Sequence, residues 1–403
     1  MYNSLLCRGY LNLKLRRFTT AFTVNVRNGL AKADCFSTPR YVGHYSSRLM
    51  LPVNEDRYSM GFLSTRNPGD VFSSPEIDQV FAASVFDGHG GTQTAQFLQE
   101  HLYSYLESSD TSSLRETLPA EYSKLYGGYW DSFNWGSARL DESKFSNKSR
   151  ISKETSELMA LYDRLKLAYL KADLDVMALD KFSGSTCTSV YLSTKSKTVD
   201  PMNKSKQGQM YFWSPNADVD IITAQIGDSK TLVCDQQGNH LALTRVHHAE
   251  NTREQKRLHD FSEYLNSTID GRQRFMQYLN TRAFGDSQAK GLGISAEPEL
   301  REYKIVNGRG RLSGNDAFIA LCSDGVTDSI SSQEICDLVI SMAASGGTAQ
   351  QCAESIVNYS LYLGAVDNAT AIIIRLGAWG DWKWKDRTLD LRTARLQKAR
   401  TER

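Results

Sequence analysis

Three short stretches of the chain are apolar at nearly every position: Val80–Phe86, Ala317–Cys322 and Ala371–Ile374. Runs of this length bounded by Gly, Asp or Asn suit strands buried on both faces. Shorter or alternating runs predict further strands at 41–44, 57–63, 187–192, 219–225, 231–234 and 241–244. The 231–234 strand reads as the hairpin partner of 219–225 across Gly227-Asp228-Ser229, with 241–244 continuing the sheet. Helical spacing appears at 92–106 through Ala95, Leu98, Leu102 and Leu106, and at 155–179 through Leu158, Leu161, Leu165, Ala168 and Ala172. Further helices are read at 252–264, 331–343 and 349–363. Ser331 with Glu334 three residues on has the form of a capping box. Residues 108–150, rich in Ser, Tyr and Trp, show weak periodicity and read as an irregular insertion. Residues 195–209 read as a polar loop.

With 403 residues, 40% hydrophobic and 23% charged, the chain can build a large core as one domain or two. No stretch approaches the roughly 18 uninterrupted apolar residues of a membrane span. The net charge of +1 conceals an asymmetry. Residues 1–33 hold six basic residues and no acid, and residues 377–403 carry a net +4, leaving −9 on residues 34–376. An acidic body argues against a nucleic-acid surface and is compatible with cation binding. The acid-free leader has the composition of a mitochondrial transit peptide. Leu11 to Phe22 can form a basic amphipathic helix, and Arg16-Arg17-Phe18-Thr19 resembles a processing site; the bland alternative is a basic disordered tail. The seven cysteines are scattered without a C-x-x-C pair, which fits a reducing compartment and excludes a cysteine-built zinc site.

The apolar strands end on carboxylates: Phe86-Asp87-Gly88, Cys322-Ser323-Asp324-Gly325, and Asp367-Asn368 before the last strand. Strand ends of one sheet region can bring such carboxylates together. Their repulsion is relieved by cations, and all-oxygen donors suit Mg²⁺ or Mn²⁺.

Six motifs then occur in order. They are Val85-Phe86-Asp87-Gly88-His89-Gly90-Gly91, Ser183-Gly184-Ser185-Thr186, Gly227-Asp228-Ser229, Thr281-Arg282-Ala283-Phe284-Gly285-Asp286, Ser323-Asp324-Gly325-Val326-Thr327-Asp328 and Asp367-Asn368-Ala369-Thr370. Together they resemble the metal-dependent Ser/Thr protein phosphatases of type 2C, over roughly residues 41–376, and most nearly the fungal mitochondrial branch. The resemblance implies an α+β fold, an α-β-β-α sandwich of two central antiparallel sheets flanked by helices. It implies two Mg²⁺ or Mn²⁺ ions per site, with Asp87 bridging both, the Gly88 carbonyl on one, Asp324 and Asp367 on the other, and Glu55 acting through water. Asp328 matches the ligand of a weaker third ion. Hydrolysis of phosphoserine and phosphothreonine would need no phosphoenzyme, with His89 protonating the leaving group.

The phosphate-binding arginine is assigned to Arg48, seven residues before Glu55, with Arg57 as its rival. Asp228 and Asp286 read as turn residues, and His247 and His248 as loop or surface histidines. The division expected is a leader over 1–40, a phosphatase domain over 41–376 with insertions near 108–150 and 195–215, and a basic tail over 377–403. The expected partners are phosphoserine and phosphothreonine proteins, met by a monomer in the mitochondrial matrix or intermembrane space, pyruvate dehydrogenase first by family analogy. A catalytically inactive scaffold and a hydrolase of small phosphoesters are the alternatives.

Overall fold

The computed structural model describes residues 21–26, 29–34, 38–63, 80–109, 111–133, 135, 153–195, 211–265, 267–269 and 272–401. Two five-stranded sheets, antiparallel throughout, lie face to face. The first runs in the order Glu299–Ile305, Asp218–Ile226, Cys187–Lys195, Val80–Phe86, Arg57–Leu63. The second runs His240–Ala242, Lys230–Asp235, Asp316–Cys322, Ala369–Arg375, Val42–Ser47.

Alternation along each strand explains why both central strands are apolar on both faces. Phe81, Ala83 and Val85 point between the sheets, against a layer shared with Val190, Leu192, Ile319, Leu321, Ile372 and Ile374. Ala82 and Phe86 point outward, onto Leu98 and Leu102 of helix Gln93–Ser108 and Leu165 and Ala168 of helix Lys153–Leu179. On the other side Phe318, Ala320 and Ile373 pack under helices Ser332–Ala344 and Ala349–Tyr362. The result is the expected α-β-β-α sandwich. Each buried Val, Leu, Ile or Phe contributes roughly 1.5–3 kcal/mol of burial free energy. The capping box of Ser331 and Glu334 forms, and Thr348 with Gln351 makes a second.

The structure corrects two expectations. Asp218–Ile226 and Lys230–Asp235 are not a hairpin; they belong to different sheets. Gly227-Asp228-Ser229 is the crossing between the sheets. Gly227 takes a φ of +89°, and a Cβ there would lie 2.5 Å from the Thr186 side chain, so glycine is required on two counts. The insertion is not irregular throughout, for it contains helix Thr111–Tyr126 and a turn of helix at Tyr129–Ser132. Leu118 and Tyr122, spaced by four, pack on Leu167, Leu170 and Leu174. Pro119 inside this helix obscures it in the sequence.

Residues 1–20, 64–79 and 196–210, which include most of the leader helix expected over 11–22 and most of the polar loop, lie outside the described residues. Ala21–Val26 pairs with Gly29–Asp34 as a two-stranded hairpin. The basic tail contains helix Thr388–Thr401.

Candidate metal centre

A third, three-stranded sheet of two-residue strands brings distant motifs together. Its order is Phe284–Gly285, Gly184–Ser185, Gly88–His89. It begins where strand Val80–Phe86 stops at Asp87, whose carbonyl accepts the Thr186 N–H at 2.8 Å.

Carboxylate oxygens of Asp87, Asp228 and Asp324 all lie within 4.8 Å of one another. Burial first, then the charge of Asp324, Asp56 and Asp228, pushes the Asp87 carboxyl well above the usual range. Asp324 is raised in the same way, by burial and then by Asp228, with Asp367 and Asp328 adding to it. Three close, partly buried carboxylates with oxygen-only donors form a cradle that suits a hard divalent cation.

Asp228, expected to be a turn residue, is therefore part of the cluster. The crossing between the sheets carries it there. His248 Nε2 lies 2.9 Å from Asp228 Oδ2. Burial works to raise the Asp228 carboxyl, but the hydrogen bond and charge of His248 hold it below the ordinary value. His247 is not a surface residue either. It is 1% exposed, and its Nδ1 accepts the Gly227 N–H at 3.1 Å. Neither role was visible in the sequence, because a His-His pair in a loop has no period to give it a direction.

Close backbone packing gathers the remaining ligand candidates. A Cβ on Gly88 would lie 2.6 Å from the Glu55 carbonyl, and one on Gly325 would lie 2.0 Å from the Asn368 carbonyl. Glycine at these two places lets the Glu55 and Asp367-Asn368 segments press against the Asp87 and Asp324 segments. Asp367 is exposed, outside the three-carboxylate cluster but close enough to raise Asp324. Asp328 is likewise on the outside, with Arg272 Nη2 at 3.3 Å from its Oδ2.

Asn368 is the buried pin of this arrangement. Its Oδ1 accepts the Glu55 N–H at 2.6 Å, and its Nδ2 donates to the Arg48 and Val53 carbonyls at 3.2 and 3.0 Å. Asp56, buried below, accepts from Ser323 Oγ at 2.9 Å and Thr370 Oγ1 at 2.6 Å. Burial lifts its carboxyl to about 6. Both candidate arginines bond to their own loop, Arg48 to the Leu51 carbonyl and Arg57 to those of Asn54 and Asp56. Arg48 is the exposed one of the two.

His89 Nε2 lies 3.0 Å from Asp286 Oδ2. Burial pulls the imidazole pKa down, but the hydrogen bond and charge of Asp286, with Asp228 and Glu55, outweigh it and leave the pKa raised. Asp286 is thus no simple turn residue, although it does adopt the left-handed conformation with φ +50°. The signal in the sequence was its place after Phe284-Gly285, where a strand end, like that of Asp87, presents a carboxylate.

The Protein phosphatase 2C family model matches residues 63–369. Protein phosphatase 2C homolog 4 of Schizosaccharomyces pombe is 29% identical over 370 residues, covering 90% of this chain and 86% of that protein. Protein phosphatase 1K, mitochondrial, of Xenopus laevis is 31% identical over 166 residues, 41% of this chain and 42% of that one. In fold, the chain resembles the crystal structure of serine-threonine phosphatase 2C from Toxoplasma gondii, with a TM-score of 0.54 at 16% identity, over 83% of this chain and 94% of that one. Three aspartates gathered at strand ends, in a sandwich of this topology and over this length of matched sequence, make the chain a member of the protein phosphatase 2C family, the metal-dependent serine/threonine phosphatases.

Proposed function

We propose that this phosphatase hydrolyses phosphoserine and phosphothreonine in mitochondrial phosphoproteins, using two Mg²⁺ or Mn²⁺ ions, with a weaker third at Asp328. The observation that carries the chemistry is the cluster of Asp87, Asp228 and Asp324 beside the His89–Asp286 pair. Asp87, the Gly88 carbonyl, Asp324, Asp367 and, through water, Glu55 would hold the two ions. Asp228 is added to the donors on the geometry above. Bound there, the ions supply a water acidified enough to act as nucleophile and offset charge on the phosphoryl group.

The chain's own residues do the rest. His89 donates its proton to the departing serine or threonine oxygen, which is too basic to leave unprotonated. Asp286 holds the ring at Nε2, so Nδ1 would be the nitrogen that gives the proton to the substrate. Arg48, exposed on the loop pinned by Asn368 and held there by one carbonyl, would reach the phosphoryl oxygens; Arg57 is less exposed and bonds two carbonyls.

The mitochondrial address rests on the acid-free basic leader and on the likeness to a relative whose name includes the compartment. Pyruvate dehydrogenase is proposed as the first substrate to try, by family analogy alone. Turnover of a phosphothreonine peptide by the full chain with Mg²⁺ or Mn²⁺, and its loss with chelator, tests the chemistry. Turnover undiminished by chelator would overturn it. A reporter fused to residues 1–40 tests the address, and a diffuse cytosolic signal would overturn that.

A further inference from the structure

Phe182 is 74% exposed, yet its backbone is tightly fixed. Asp180 Oδ1 accepts the Phe182 N–H at 2.8 Å, and Asp180 Oδ2 lies 2.8 Å from Ser183 Oγ. Ser287 Oγ donates to the Lys181 carbonyl at 2.9 Å, and Thr94 Oγ1 lies 2.8 Å from Ser183 Oγ. The turn is therefore tied to the start of helix Gln93–Ser108 on one side and to the segment after Asp286 on the other.

This turn borders the proton donor. A Cβ on Gly90 would come within 3.1 Å of the Phe182 carbonyl. The Ser183 carbonyl accepts the Asp286 N–H at 3.4 Å, and Gly184 packs directly against His89 and Asp286. A group that protonates the leaving oxygen must face the leaving group. In a phosphoprotein the leaving group is the peptide itself, so the polypeptide passes on the His89 side of the phosphoryl group. Phe182 is exposed, and its carbonyl adjoins Gly90, the residue after His89.

We infer that Phe182 contacts an apolar side chain next to the phosphorylated residue of the substrate and sets a preference for it. This rests on the reading of His89 given above. The chemistry favours an apolar partner: an exposed ring sheds water on contact, and its backbone is already ordered, so little further entropy is lost. The aromatic face adds a weak preference for branched or aromatic neighbours.

The test compares two phosphothreonine peptides that differ only in the flanking residue, leucine or glutamine, with the full chain and Mn²⁺. The ratio of their kcat/KM values is the readout, so any general change in activity cancels. The native protein should favour the leucine peptide by about tenfold, mostly in KM, as expected for one apolar contact. Phe182→Ala should bring the ratio near one, and Phe182→Leu should restore most of it. An unchanged ratio in Phe182→Ala, or no preference in the native protein, overturns the inference while leaving the phosphatase reading intact. Absence of turnover on both peptides and on p-nitrophenyl phosphate overturns both.

Discussion

His89 and Asp286 meet across Gly184, Nε2 to Oδ2 at 3.0 Å, and any side chain at 184 would drive them apart. A Cβ at that position would lie 2.3 Å from His89 Nε2 and 2.7 Å from Asp286 Oδ2. The pair joins residues 197 apart in sequence. It fixes the orientation of the imidazole proposed above as the proton donor to the leaving group.

Asp286→Asn should therefore lower kcat on a phosphothreonine peptide by roughly ten- to a hundredfold, a loss no greater than the low end of what a positioned acid contributes, because the imidazole itself remains. The loss on p-nitrophenyl phosphate should be much smaller, because its phenolate leaves without a proton. Gly184→Ala should reproduce the pattern. Equal losses on both substrates would show that Asp286 only supports the fold.

Asp87, Asp228 and Asp324 repel one another in a partly buried site. Asp87→Asn should lower metal-dependent turnover by at least about a hundredfold. It should also raise the Tm of the chelated protein by a few degrees, since the cost of burying an acid among other carboxylates is relieved. The Tm increase that Mg²⁺ or Mn²⁺ gives the native protein should shrink. Differential scanning fluorimetry with and without chelator reads both effects independently of activity.

Asn368 is 4% exposed and satisfies three backbone groups of the 48–55 loop. Asn368→Ala leaves those groups without their partner and should cost about 2–3 kcal/mol in urea unfolding, on the scale of buried unsatisfied polar groups. The loop that carries Arg48 and Glu55 also loses its anchor. KM for a phosphopeptide should rise, and a KM equal to the native value would separate Arg48 from phosphate binding.

Asp316 lies far along its strand from Asp324, is 1% exposed, and accepts the Tyr303 hydroxyl at 3.0 Å. Burial, with the charge of Asp235, lifts its carboxyl to about 7. The folded protein thus holds a proton that the unfolded chain releases near pH 4. Stability should fall as pH rises from about 4 to about 7, by at most about 4 kcal/mol from this group. Asp316→Asn keeps the Tyr303 bond and removes the fall. Its stability relative to the native protein should therefore be greater at pH 8 than at pH 5, and an equal difference at both would refute the assignment.

Much of the secondary structure was legible along the chain. Val80–Phe86 and Arg57–Leu63 have the bounds that the pattern predicted, because an apolar run flanked by turn residues leaves the backbone little alternative. The helix at 111–126 was not, because Pro119 and a polar surface dilute its four-residue stripe. The carboxylates at strand ends were legible too, since a buried strand must surface where its apolar run stops.

By itself, then, the sequence determined the buried strands, the residues Asp87, His89 and Asp324 at their ends, and the acidic body around them. Tertiary structure decided the partners. Gly227-Asp228-Ser229 reads the same whether it turns a hairpin or crosses between sheets, and only the crossing delivers Asp228 to Asp87 and Asp324. Asp286 reaches His89 only because three two-residue strands pair through Gly184. Periodicity reports which face of one element is buried. It carries no information about which distant element covers that face, and it is that choice which set the acid beside the histidine.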